Sequence, residues 1–264
     1  MPDTHTVTNQ VPKLENYNPA TSPVLTEALI REGGEWGLDE VVELGAISGS
    51  KKAQRWGELA DRNQPILRTH DRYGHRVDEV EYDPAYHELM TVAIGHGLHA
   101  APWADDRLGS HVVRAAKTSV WTCEPGHVCP VSCTYAIVPA LRTNPELAKI
   151  YEPLLTSREY DPELKVPTTK VGITAGLSMT EKQGGSDVRA GTTEAAPNGD
   201  ATYKSAGPQM VHLGADGRHL PRSRTGTQGP VLFFPAAGPA RRHLQPDVSA
   251  TAQRQARQPR QRVQ

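Results

Sequence analysis

Three stretches of this 264-residue chain bring together residue types able to do chemistry. The first is Met179-Thr180-Glu181-Lys182-Gln183-Gly184-Gly185-Ser186-Asp187-Val188. Thr180 and Ser186 offer hydroxyls, and Gly184 and Gly185 let backbone amides approach a ligand closely. Such groups suit the polar ring edge of a flavin and its anionic pyrophosphate. A Gly-Gly-Ser turn also serves a plain surface hairpin, and on spacing alone that is the commoner origin of such a run. The second stretch, Cys123-x3-His127-x-Cys129-x3-Cys133, could offer thiolates and an imidazole to zinc. Its gaps fit no familiar finger and Pro130 stiffens the loop, so free buried thiols are the preferred reading and no metal site is assigned. The third comprises His70-Asp71-Arg72 and His87-Glu88, acid–base constellations by type alone. With 11 histidines in the chain, chance proximity explains them better, and no catalytic residue is assigned. Neither a Ser-His-Asp order nor a phosphate-cradling loop stands out.

The elements that must position these residues divide the chain. Residues 1–20 are rich in Pro and Asn and read as an extended arm. Ser22 can cap a helix with Pro23 in its first turn and Leu25, Ala28 and Leu29 as its apolar stripe. Further helices are expected over Leu38–Gly45, Lys51–Arg62, Tyr86–His99, Ser110–Val120 and Asn144–Tyr151, while Pro130–Leu141 carries small and apolar residues. From Lys170 the pattern changes: Val171, Ile173 and the run to Met179 read as a strand, and Thr202 and Tyr203 begin a returning one. The expected fold class is α+β, with an all-α domain over 1–168, the start of a β domain over 169–203 and a basic low-complexity tail over 204–264. That tail has almost no apolar periodicity beyond Val231–Phe234, and its composition reads as disordered.

Charge sharpens the division. Residues 204–264 carry ten Lys or Arg against Asp216 and Asp247, while the preceding 203 residues hold 19 basic and 28 acidic side chains. A basic arm of this kind reads as a nucleic-acid or membrane segment in many proteins. No apolar run approaches the ~18 residues of a membrane span. No basic stretch followed by an apolar one opens the chain, against a signal peptide. Three cysteines, all within 123–133, make no disulfide framework and point to a reducing cytoplasm.

The run MTEKQGGSDV resembles the flavin-contacting signature of acyl-CoA dehydrogenases in the form found in the AidB-like (adaptive response to alkylation) branch, where many members read T-E-P-x-x-G-S-D. HDRYGHRVDEVEYDPAYHELM, GLHAAPW, the Arg114-Ala115-Ala116 triplet, EPGHVCPVSCTYAIVPAL and YEPLLTSREYD agree with the same family, in family order, over most of residues 4–203. Cys133 stands where Met is expected, and Leu177-Ser178 where Gly-rich or Met-rich variants are usual. The resemblance implies a helical domain followed by a β-barrel middle domain, with FAD held along Leu177, Ser178, Met179, Thr180, Glu181, Lys182, Gln183, Gly184, Gly185 and Ser186. Thr180 would bond the isoalloxazine edge and Ser186 would face the flavin or pyrophosphate; the Cys123–Cys133 stretch would pack beside the flavin, and the His-Asp-Arg turn would pack on the helical domain. The partners implied are an acyl-CoA-like molecule, DNA in full-length relatives and a homotetramer.

The glutamate base of such enzymes belongs to a C-terminal helical domain that has no counterpart in this sequence. The expectation is therefore family identity without activity, with poor solubility and little bound flavin. The tail has its own explanation. Read one base out of register, Lys204–Val211 permits x-L-x-G-H-K-W-F and Ala252–Gln264 permits L-K-D-K-L-G-N-R-A-N-A-S, both resembling the family's continuation. A frameshift after Tyr203 is thus expected ahead of a genuine basic arm that binds nucleic acid. A helical remnant kept for oligomer contacts is the third reading.

Overall fold

Most helices in this chain start at a capping side chain or a proline. The computed structural model describes residues 4, 6, 8–176, 180–182, 190–197, 203–206, 222–226 and 229–233. Its helices are α1 (Pro23–Arg31), α2 (Leu38–Ser48), α3 (Lys51–Arg62), α4 (Pro84–Gly95), α5 (Ala101–Ala104), α6 (Ser110–Val120), α7 (Pro125–Leu141) and α8 (Pro145–Leu155). The Ser50 hydroxyl accepts from the Ala53 amide, Asp83 from Ala85, and Asn144 from Leu147, so α3, α4 and α8 have some of their unpaired first-turn N–H groups satisfied. Glu124 accepts from the Gly126 and His127 amides and opens α7 at Pro125, ahead of the small and apolar run from Pro130. Pro130 and Pro139 are instead carried inside α7. Gly97, at φ +73°, lies just past the C-cap of α4, cutting short the helix expected to run to His99.

Apolar faces spaced for a helix meet in one main core. Leu29 of α1, Val41 and Leu44 of α2, Leu89, Met90 and Ile94 of α4, Val113 of α6, Trp121 at the C-cap of α6 and Val131 of α7 are buried together. Each such side chain contributes about 1.5–3 kcal/mol by leaving water. A smaller cluster joins Ile137, Val138 and Leu141 of α7 to Leu155, Ile173 and Ala175. The N-terminal arm is held down against α2 and α3: the Tyr17 amide donates to Gly49 O, the Asn16 side chain accepts from the Lys51 amide, the Asn18 side chain donates to Val42 O, and Lys13 pairs with Glu58. No helix among the described residues is long and apolar enough to cross a membrane.

Among the described residues the strands form three two-stranded antiparallel pairs. β1 (Ile66–His70) and β2 (Arg76–Glu81) were not expected from the sequence; Leu67 faces Val80 in their register. Asp71 makes their turn, its carboxylate accepting from the Tyr73 and His75 amides. His70 and Arg72 are therefore at an exposed hairpin tip, which corrects the expectation that this turn packs on the helices. β3 (Glu194–Pro197) pairs with β4 (Tyr203–Ala206), in agreement with a returning strand at Tyr203. β5 (Arg222–Gly226) and β6 (Gly229–Phe233) pair within the stretch expected to lack structure, and β5 lies beside β3. The remaining tail positions lie outside the described residues. The chain is α+β, as expected, but 171–176 is not a strand: it runs extended without a ladder partner among the described residues.

Candidate functional site

The approach to the Met179–Val188 motif is built by α7 and α8. The last carbonyls of a helix lack intrahelical partners, and at the end of α8 the Leu154 carbonyl accepts from the Ile173 amide at 3.1 Å. Two residues on, the Ala175 amide donates to the Thr134 hydroxyl at 2.9 Å, and that hydroxyl in turn donates to Pro130 O at 2.8 Å. Thr134 is fully buried in α7, so a helix side chain does here what a neighbouring strand does in a sheet. Ile173 and Ala175 seat their side chains on Ile137, Val138 and Leu141. The sequence reading missed Thr134, one of three hydroxyl residues, with Ser132 and Tyr135, that α7 carries.

Beyond this anchor the chain meets a second one. Glu181 is 4% exposed, and its carboxylate accepts four hydrogen bonds. Thr192 donates its amide at 2.7 Å and its hydroxyl at 3.0 Å; Thr193 donates its amide at 2.7 Å and its hydroxyl at 2.5 Å. A buried carboxylate needs this degree of satisfaction. It ties the point where the chain enters the Gly-Gly-Ser stretch to the point where it returns. Thr180 is half-buried and Lys182 exposed. Leu177, Ser178, Met179, Gln183, Gly184, Gly185 and Ser186 lie outside the described residues.

The other chemistry-bearing residues are occupied in joining helices. Cys123 Sγ lies 3.2 Å from the Ser48 hydroxyl, and burial pushes its thiol up. His127 is fully buried, with Nδ1 3.3 Å from Glu124 Oε2. Cys129 and Cys133 form no disulfide, and among the described residues no group of three His, Cys, Asp or Glu side chains is arranged to hold a metal. His87 pairs with the Tyr160 hydroxyl at 2.9 Å, not with the exposed Glu88. Arg114 lies 3.7 Å over the Tyr135 ring and donates to Leu98 O, while His111 Nδ1 and the Tyr135 hydroxyl are 2.5 Å apart. Next to them His99 Nε2 donates to Ser157 O; burial, outweighing that hydrogen bond, holds its ring down at about 4.

Residues 9–162 match the family model described as the adaptive response protein AidB N-terminal domain, and the helical architecture agrees with it. The chain belongs to this family, the AidB-like branch of the acyl-CoA dehydrogenases. It is 38% identical over 208 residues to AidB of Escherichia coli (strain K12), named as an acyl-CoA dehydrogenase, a match covering 77% of this chain and 38% of that protein. It is 27% identical over 171 residues to acyl-CoA dehydrogenase family member 11 of Caenorhabditis elegans, covering 63% of this chain and 27% of the relative. Two solved structures share the fold. Bd2924 in its apo-form superposes with a TM-score of 0.70 at 23% identity, over 88% of this chain and 48% of that one. ACDH-11 of C. elegans in complex with C11-CoA superposes with a TM-score of 0.66 at 24% identity, over 88% and 40%. The chain thus spans less than half the length of these relatives.

Proposed function

We infer that this chain supplies the helical domain and the flavin-side segment of an AidB-type acyl-CoA dehydrogenase-like flavoprotein. One observation carries the reading: the Thr-Glu pair heading the family's flavin motif is held by a buried carboxylate that bonds both ends of the intervening stretch. The donor set fits FAD. Thr180 is half-buried beside that anchor, leaving its hydroxyl able to meet the isoalloxazine edge; the amides of Gly184 and Gly185 and the Ser186 hydroxyl suit the pyrophosphate. Leu177, Ser178, Met179, Lys182 and Gln183 complete the proposed contact surface. Bound FAD would supply the two-electron acceptor for dehydrogenation of an acyl thioester. The protein's share is orientation: Thr134 fixes the approach through Ala175, and Glu181 fixes the return through Thr192 and Thr193.

The test is titration of FAD into the full chain, read by flavin fluorescence quenching, with far-UV circular dichroism as the check on folding. A chain that purifies with little flavin but binds added FAD saturably, with Thr180→Val weakening binding about tenfold, supports the assignment; that loss corresponds to about 1.4 kcal/mol, the size of one hydrogen bond. A folded chain with no saturable binding, or one indifferent to Thr180→Val, overturns it.

A further inference from the structure

Two buried rings at the junction of α6 and α7 are each left with an unpartnered nitrogen. Trp121 is 1% exposed and His127 fully buried, and among the described residues neither Trp121 Nε1 nor His127 Nε2 has a hydrogen-bond partner. The rings meet edge to face, centroids 6.1 Å apart and planes at 81°. An orphaned buried polar group costs about 1–3 kcal/mol, so two side by side call for an occupant.

The chemistry of that occupant follows from the far side of the imidazole. Glu124 accepts from the Gly126 amide at 2.6 Å and the His127 amide at 2.9 Å, with His127 Nδ1 at 3.3 Å. Burial opposes the charge on Glu124, but the His127 ring and the two amides outweigh it and hold its carboxyl below the usual value. A carboxylate only accepts, so Nδ1 carries the proton toward it and Nε2 presents a lone pair. Trp121 Nε1 only donates. A carboxylate–histidine pair is also how many metal ligands are braced, but the indole packed on the imidazole brings an N–H donor to the same corner, which a cation does not need. His127 and Cys129 are also about 200° apart around α7, so the thiol does not join it. An anion is disfavoured by the lone pair and by Glu124. What remains is a small neutral molecule that both accepts and donates.

We propose that Trp121 and His127 form an internal site for one ordered water, which accepts from the indole N–H and donates to His127 Nε2, locking the α6–α7 corner and the His127 tautomer. Buried waters serve unsatisfied pairs of this kind. The experiment is nuclear magnetic resonance on the full chain labelled with nitrogen-15. The chain has four indole N–H signals, and Trp121→Phe identifies the one concerned. Its proton should show cross-relaxation to a long-lived water, and His127 should appear as the Nδ1–H tautomer. Should Trp121→Phe not fold, His127→Gln gives the assignment instead, and the tautomer is read in the unaltered chain. An indole proton with contacts to the His127 ring but none to water overturns the site. So does an Nε2–H tautomer, or a shift of the His127 signals on adding zinc alone.

Discussion

The helical part and the segment that follows Lys170 are held by different physics. In the first, side chains from six helices interlock, so Leu29, Leu44 and Leu89 each contact a core that several other residues also maintain. In the second, the described chain is fastened at a few named points: Ile173 to Leu154 O, Ala175 to the Thr134 hydroxyl, and Glu181 to Thr192 and Thr193. Packing is redundant and cooperative; single hydrogen bonds are neither. A segment tied in this way can be placed accurately by a rigid body yet released without unfolding it, which suits a ligand-facing stretch.

The largest expected effect comes from the packed side. Leu89 is completely buried in α4. Leu89→Ala should cost about 4 kcal/mol through lost transfer energy and the cavity left behind, lowering the melting temperature by roughly 10 °C. Thermal unfolding followed by circular dichroism measures it. A loss under about 1 kcal/mol would mean the core collapses around the gap, and the contrast with the fastened segment would weaken.

A slightly smaller effect is expected from acid. His99 is held neutral in the fold, its ring at about 4 against an ordinary 6.5, chiefly by burial. The unfolded chain therefore binds a proton that the native one refuses over this range, and stability falls as pH drops from 6.5 toward about 4. The shift corresponds to about 3 kcal/mol, fully available above pH 6.5. His96, also lowered by burial, adds in the same direction, so the histidine is isolated by comparing His99→Gln with the unaltered chain. Glu124 adds a loss only below its ordinary 4.5, at the foot of the window. Urea melts at pH 7 and pH 5 should differ less in the variant; equal differences would remove His99 from the account.

Much of the helical part is legible in sequence because its signals are local. Pro23 and Pro84 mark first turns, Asp83 and Asn144 caps, and the spacing of Leu89, Ala93 and Ile94 a buried face. The Ile66–Glu81 hairpin escapes the same reading because it is an exposed ribbon: Ile66 is 49% and Val77 37% exposed, so no apolar face announces it. Its one usable signal is the Asp71–Gly74 turn, with Gly74 at φ +83°. Residues 171–176 mislead in a different manner. The strand read from Val171 and Ile173 is absent over 171–176, because the partners are a helix-end carbonyl and a threonine hydroxyl, which no period in the segment encodes. Within the candidate site, Thr180 and Glu181 stand out by motif, while Thr134 and Thr192–Thr193 are joined to it only by the fold.

The smallest expected effect on global stability is the one that separates the two regions most cleanly. Glu181→Gln keeps the shape of the side chain and one acceptor oxygen, but turns an amide NH2 toward two of the four donors on Thr192 and Thr193. Those donors would then face a donor, and the anchor should open. Because the buried helices do not depend on it, the melting temperature should stay within what about 0.5 kcal/mol would move. Hydrogen exchange should nevertheless quicken at the Thr192 and Thr193 amides by about tenfold or more, the equivalent of one lost hydrogen bond, while the Leu89 and Ile94 amides of α4 keep their protection. Equal acceleration in both places would show one cooperative unit, with the carboxylate serving the entire fold. Acceleration confined to the threonines would establish that the motif-bearing segment opens on its own, as a site that must admit and release a bulky ligand requires.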